Sequence, residues 1–159
     1  MKLDYMNGRF SAGLQIDAYL PALQGYEIGQ QPGAYHFYLS SKYIQWQDHN
    51  YSVRVGDIFD QFGSGLIFRS FEDRQLGFNN SIEGVQGIYR FGDYVEVKGM
   101  YGRPRLYTDY ADSWVRGADL HISLNDIFGW NAAQFSAEGS YVNRYESCLL
   151  YTSDAADDK

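Results

Sequence analysis

The sequence predicts an all-β fold: an antiparallel up-and-down meander, about eight strands of a transmembrane outer-membrane β-barrel. Three observations carry this. The first is strand length. Arg9–Tyr19 alternates apolar and polar residues without a break over eleven positions, against about 5–6 for an ordinary soluble strand and roughly 9–11 for a tilted strand crossing a bilayer. The second is the connections, which alternate short and long in the manner of outer-membrane barrels. The third is aromatic content. Aromatics make up 18% of the chain, with fifteen tyrosines. Tyr5, Phe10, Trp46, Tyr51, Phe91, Tyr94, Phe128 and Trp130 gather at the short-turn ends, where an interfacial girdle belongs.

Taken in order, Met1–Met6 reads as the end of a strand, and Asn7-Gly8 as a tight hairpin turn needing positive φ. In Arg9–Tyr19, Phe10, Leu14 and Ile16 fall on the lipid-facing side, and Gln15 and Asp17 on the other. Leu20–Gly33 is a long loop with Pro21 and Pro32. Ala34–Gln47 returns as a strand, and its broken alternation at Ser40-Ser41-Lys42 suggests a bulge. A short turn at Asp48–Asn50 leads into Tyr51–Ile58. Ser81–Arg90 is a strand of ambiguous facing, followed by a turn at Phe91–Asp93. Tyr94–Gly102 turns Val95 and Val97 to lipid and Glu96 and Lys98 to the lumen. A long loop, Arg103–Ser113, holds Pro104, away from any ladder position that needs an N–H. Trp114–Leu124 turns Leu120 and Ile122 outward and Asp119 and His121 inward; after a short connection, Gln134–Tyr145 closes the set.

One stretch breaks the rhythm. Val55–Arg74 packs glycines (Gly56, Gly63, Gly65), aromatics and charges (Asp57, Asp60, Arg69, Glu72, Asp73, Arg74) into a long-side connection. The glycines permit a sharp bend or close backbone approach. With Arg54 and the inward residues named above, these charges are candidates for lining a lumen or constriction. Glu72 and Asp73 are neighbours, so on a strand they point to opposite faces and cannot serve one site as an acid and base pair.

Gly56–Val85, GDIFDQFGSGLIFRSFEDRQLGFNNSIEGV, resembles a family of uncharacterised outer-membrane β-barrel proteins of Bacteroidetes-type bacteria. That family has a G-D-x-[FY]-x-Q-F-G-x-G-L run followed by R-x-[YF]-E-D-R. Gly56, Asp57, Phe59, Gln61, Phe62, Gly63, Gly65 and Leu66 match the first part, and Arg69 and Phe71–Arg74 the second. The resemblance implies a barrel in the outer membrane of a Gram-negative bacterium, with membrane lipid and other envelope proteins as partners. It implies no chemistry.

The net charge of −7 argues against nucleic acid as a partner, which needs a basic footprint. Mean hydropathy is −0.44, and no run approaches the ~18 apolar residues of a membrane helix. Residues 148–159, CLLYTSDAADDK, resemble a translated sequencing adaptor and are expected to be disordered, leaving 1–147 as a partial barrel. Without that tail's lysine and three aspartates, twelve basic face seventeen acidic residues, a net of −5. The opening residues run straight into a strand pattern, which reads as a middle section of a longer exported chain. The three histidines are isolated, and neither a metal-ligand spacing nor a phosphate cradle nor a nucleophile elbow occurs. The expectation is therefore a non-enzymatic barrel without cofactor or metal: a passive channel or a structural or assembly component of the envelope. The competing reading is a secreted or surface β-sandwich that binds glycans through its aromatic side chains.

Overall fold

A computed structural model describes residues 1–18, 37–106, 109–129 and 135–146. They form an all-β antiparallel meander. The strands are β1 (Lys2–Asn7), β2 (Phe10–Ala18), β3 (Phe37–Gln47), β4 (Tyr51–Ile58), β5 (Glu72–Asp73), β6 (Phe78–Asn79), β7 (Ile82–Phe91), β8 (Val95–Leu106), β9 (Asp109–Tyr110), β10 (Ser113–Ser123) and β11 (Ser136–Glu146). One helical turn, α1 (Leu124–Phe128), precedes β11 and ends on Gly129 in the left-handed region. The main sheet runs β1-β2-β3-β4-β7-β8-β10-β11, with β9 added to β8. The short β5–β6 hairpin stands apart, inside the connection from β4 to β7.

Local chemistry explains several of these bounds. Gly8, at φ +57°, turns β1 into β2 with Asn7 paired to Phe10. The turn is therefore Gly8-Arg9, one residue later than Asn7-Gly8. The register slips between Gln15 and Ile16, which face Ser41 and Leu39 and leave Ser40 as the extra residue.

Two expectations fail. Pro104 lies within β8, opposite Ile82, rather than in a loop. The β7 side is served by the next residue, whose Arg105 N–H donates to the Ser81 carbonyl at 2.8 Å, while Pro104 turns toward the short edge strand β9, its carbonyl accepting the Ala111 N–H at 2.9 Å. The alternation of short and long connections is also lost at the end. The extension of β8 and the addition of β9 shorten one long loop, while α1 lengthens the following turn. The expected Leu20–Gly33 loop, Trp130 and the tail 148–159 lie outside the described residues.

Burial is inverted. Among the described residues, the buried set holds eleven polar or charged side chains and six hydrophobic ones. The large apolar side chains point outward. Registered row by row across the strands, the outward face carries Tyr5, Ala12, Ile44, Val55, Val85 and Tyr101, a row closed by the polar Arg116 and Asn143; then Phe10, Trp46, Val53, Gly87, Gly99, Ala118 and Tyr141; then Tyr51, Tyr89, Val97, Leu120 and Gly139; then Phe91, Val95, Ile122 and Ala137. Leu14, Ile16 and the other residues expected on the apolar face lie on it. The facing of β7, ambiguous in the sequence, is set by this register: Val85, Tyr89 and Phe91 point out and Gln86 points in.

Candidate functional site

The connection between β4 and β7 folds onto the inward, polar face. Its entry depends on a split in the sheet. The β3–β4 ladder ends at the Tyr43–Gly56 pair. Gly56 has φ +112°, and a β-carbon there would lie 2.2 Å from the Lys42 carbonyl oxygen. Only glycine fits such a backbone at such an approach.

Beyond the split, side chains replace the missing ladder. The Asp57 carboxylate accepts the Lys42 N–H at 2.8 Å and the Ser81 hydroxyl at 3.0 Å, and it pairs with Arg105 at 3.3 Å. Arg105 also donates to Ser81 Oγ, to the Leu39 carbonyl and to the Tyr110 hydroxyl, at 3.2, 3.1 and 2.9 Å. Asn79 donates to the Ser40 carbonyl at 3.1 Å. Asp57 is fully buried and Arg105 is 4% exposed. Burial, with the Asp57 carboxylate nearby, holds the Tyr110 phenol above its ordinary pKa. Among the described residues no buried side-chain polar atom lacks a partner, as a buried ion pair requires.

Past Ile58 the chain forms a tight arm. Ser70 N–H donates to the Asp60 carbonyl at 2.8 Å, Phe62 N–H to Phe68 at 3.1 Å and Gly65 N–H to Phe62 at 2.8 Å. Gly63 (φ +49°) and Gly65 (φ +81°) make the bend. Phe62 is 1% exposed and packs with Phe68 against Met100, Val115 and Val142. Its ring lies over Gly117, where a β-carbon would come within 2.5 Å. Asp60 accepts a hydrogen bond from Gln86 and lies 3.5 Å from the Lys98 ammonium. Farther on, Glu72 accepts from Gln15 at 2.9 Å and from Ser40 at 3.0 Å.

One loop thus touches β2 and β3 at one end and β8, β10 and β11 at the other. Rooted at β4, the loop lies along the polar face of the sheet between those two sets of strands.

The arm's tip borders a charged row along the inward face. Arg90 pairs with Glu96 at 2.6 Å, Lys98 with Glu96 at 3.7 Å, and His121 lies 3.8 Å from Glu138. Ser140 donates to Asp119 at 2.5 Å. Arg54, stacked over Tyr43, donates to the Asp57 carbonyl at 2.9 Å. A β-carbon at Gly63 would lie 3.0 Å from Glu138.

Of the charges expected to line an interior, the structure brings Arg54, Asp60, Glu72, Glu96, Lys98, Asp119 and His121 to the inward face. Asp57 is sealed in the split. Three stand elsewhere. Asp73 caps the β5–β6 turn by accepting the Gln75 and Leu76 N–H groups at 2.9 and 3.1 Å. Arg69 is exposed and stacks over Phe71, 4.9 Å from its centroid. Arg74 is exposed and pairs with Glu72, two residues before it, at 3.6 Å. A short turn so rich in charge can present only some of it to one face.

Sequence reasoning missed Gln15, Ser40 and Ser81 as loop anchors and Arg105 as the partner of Asp57. It also missed a second aromatic cluster at the long-loop end, where Tyr101 and Trp114 stack at 4.9 Å and 11°. Polar residues facing a loop from distant strands leave no local signal.

The arrangement holds a loop in place and presents mixed charges. Among the described residues, no group of three histidine, cysteine, aspartate or glutamate side chains could hold a metal, and no helix is long and apolar enough to cross a membrane. Compared with known proteins, residues 1–158 match the model of a family of unknown function. No curated protein and no solved structure matches.

Proposed function

The chain belongs to a family of unknown function (DUF6029), and from its geometry we propose that it is a non-enzymatic outer-membrane β-barrel protein of a Gram-negative bacterium, plugged by its own β4–β7 loop. The inverted burial carries this reading. Val53, Val55, Val85, Tyr89, Val97 and Leu120 are each more than a third exposed on the outward face, while Asp57, Gln86, Arg105 and Asp119 are buried. Water penalises such an apolar face, whereas lipid solvates it. Four rows of apolar side chains span about 20 Å along the strands, and the row above them mixes Leu3, Leu14, Trp114 and Tyr145 with Lys42, Glu83 and Arg103, as at the edge of a barrel's apolar band.

The role that fits is a passive one. The loop is held on the polar face through hydrogen bonds and the Phe62–Phe68 aromatic anchor, so it acts as a plug or constriction. The protein then serves as a restricted channel or as a structural or assembly component among other envelope proteins. The glycan-binding sandwich needs a second sheet against the apolar face. The described strands instead form one long sheet, with the small β5–β6 hairpin on the loop.

The test is heat-modifiable gel migration together with membrane fractionation. The barrel predicts a compact, fast-migrating form lost on boiling, and recovery with outer membranes. A soluble periplasmic monomer would contradict it.

A further inference from the structure

At the long-loop end of the outward face, four side chains form a two-by-two block. Tyr101 and Arg103 come from β8, Trp114 and Arg116 from β10. The register sets Arg116 opposite Tyr101. Arg103 lies over the Trp114 ring, 5.6 Å from its centroid. The stacked Tyr101–Trp114 pair therefore runs diagonally between two guanidinium groups.

The block is open, with Tyr101 52% and Trp114 40% exposed. Its charge runs against the chain's. In a protein of net charge −7, this corner gathers Arg103, Arg116 and the nearby Lys42 around Glu83, with the Asp57–Arg105 pair beside it. The Glu83 carboxylate is shared between Lys42 at 2.6 Å and Arg103 at 3.3 Å. Among the described residues, Arg116 donates a hydrogen bond to the neutral Asn143, at 3.2 Å. The position matters as much as the charge. Arg116 stands directly above Ala118, Leu120 and Ile122 on the same face of β10. A cation there lies at the boundary between apolar band and headgroups, and aromatic rings prefer the same depth. Guanidinium planes match phosphate oxygens in a bidentate manner.

We propose that Tyr101, Arg103, Trp114 and Arg116 bind the phosphate headgroup of an anionic lipid in the leaflet at the long-loop end. The site rests on the membrane reading given above. The two arginines hold the phosphate, the stacked rings cover the glycerol and upper acyl carbons, and the apolar rows below accept the chains.

The test uses the full chain refolded into phosphatidylcholine vesicles, with tryptophan fluorescence quenched by brominated-chain lipids. Brominated phosphatidylcholine should quench, because Trp46 and Trp114 both face outward. Brominated phosphatidylglycerol at the same mole fraction should quench more strongly, with an affinity at least about fivefold higher. The R103Q/R116Q variant should keep the phosphatidylcholine response and lose the preference. Equal quenching by the two lipids, or a preference that survives in R103Q/R116Q, would overturn the lipid site and leave the membrane reading standing. No quenching by either lipid would overturn the membrane reading itself, and this site with it.

Discussion

Phe62 sits on Gly117, so closely that a β-carbon on the glycine would lie 2.5 Å from the ring. This contact fastens the loop to the far side of the sheet from its root at β4. Phe62→Ala should weaken it by about 3 kcal/mol, within the range for removing a buried aromatic side chain. Gly117→Leu should expel the ring outright. Both variants should raise single-channel conductance in planar bilayers over wild type. Unchanged conductance in both would show that the loop does not limit passage.

Asp57 and Arg105 are a second pair to test. Removing one member of a buried ion pair leaves an uncompensated charge, at about 3–5 kcal/mol. Asp57→Ala should lower the urea midpoint accordingly. Asp57→Ala with Arg105→Met should recover much of that loss, since an apolar pair avoids the desolvation cost. A double variant no more stable than Asp57→Ala alone would mean that Asp57 acts chiefly through the Lys42 N–H and Ser81.

Gly56 should tolerate no side chain. At φ +112° and 2.2 Å from the Lys42 carbonyl, even alanine forces the split to widen. Strain of about 1–3 kcal/mol at one residue is the minimum expected. Gly56→Ala should therefore refold in lower yield than Gly87→Ala, whose β-carbon would meet nothing within 4 Å. Equal yields would remove the close approach from the account.

The outward face makes a further prediction. Val53→Arg places a charge in the middle of the apolar band and should cost about 2–4 kcal/mol. Gln47→Arg, on the inward side near the short-turn end, should stay within about 0.5 kcal/mol. Urea unfolding of both variants in lipid vesicles gives the comparison, and a cheap Val53→Arg would argue for a solvated face.

The alternation of Phe10, Leu14 and Ile16 was legible because the strand period is two and each residue reports its own face. The bend at Gly63 and Gly65 was legible for the same reason, since glycine marks its own backbone. What could not be read depends on distant partners. Asp57 meets Arg105 across forty-eight positions, and Glu72 meets Gln15 across fifty-seven. Pro104 misled because its exclusion from strands holds only where a ladder needs its nitrogen. Asp73 misled because an acid in a charged cluster can be used up by its own turn.

The central claim is that the outward apolar face meets lipid. Site-directed spin labelling along β8 tests it most directly, with labels placed singly from Val95 to Met100 in a chain carrying Ser in place of Cys148, refolded into bilayers. The account predicts a two-residue period. Labels at positions 95, 97 and 99 should be accessible to oxygen and shielded from a water-soluble nickel complex, and labels at 96, 98 and 100 should not share that signature. Nickel access at 95, 97 and 99 equal to that at the Gly92 turn would place this face in water and contradict the account.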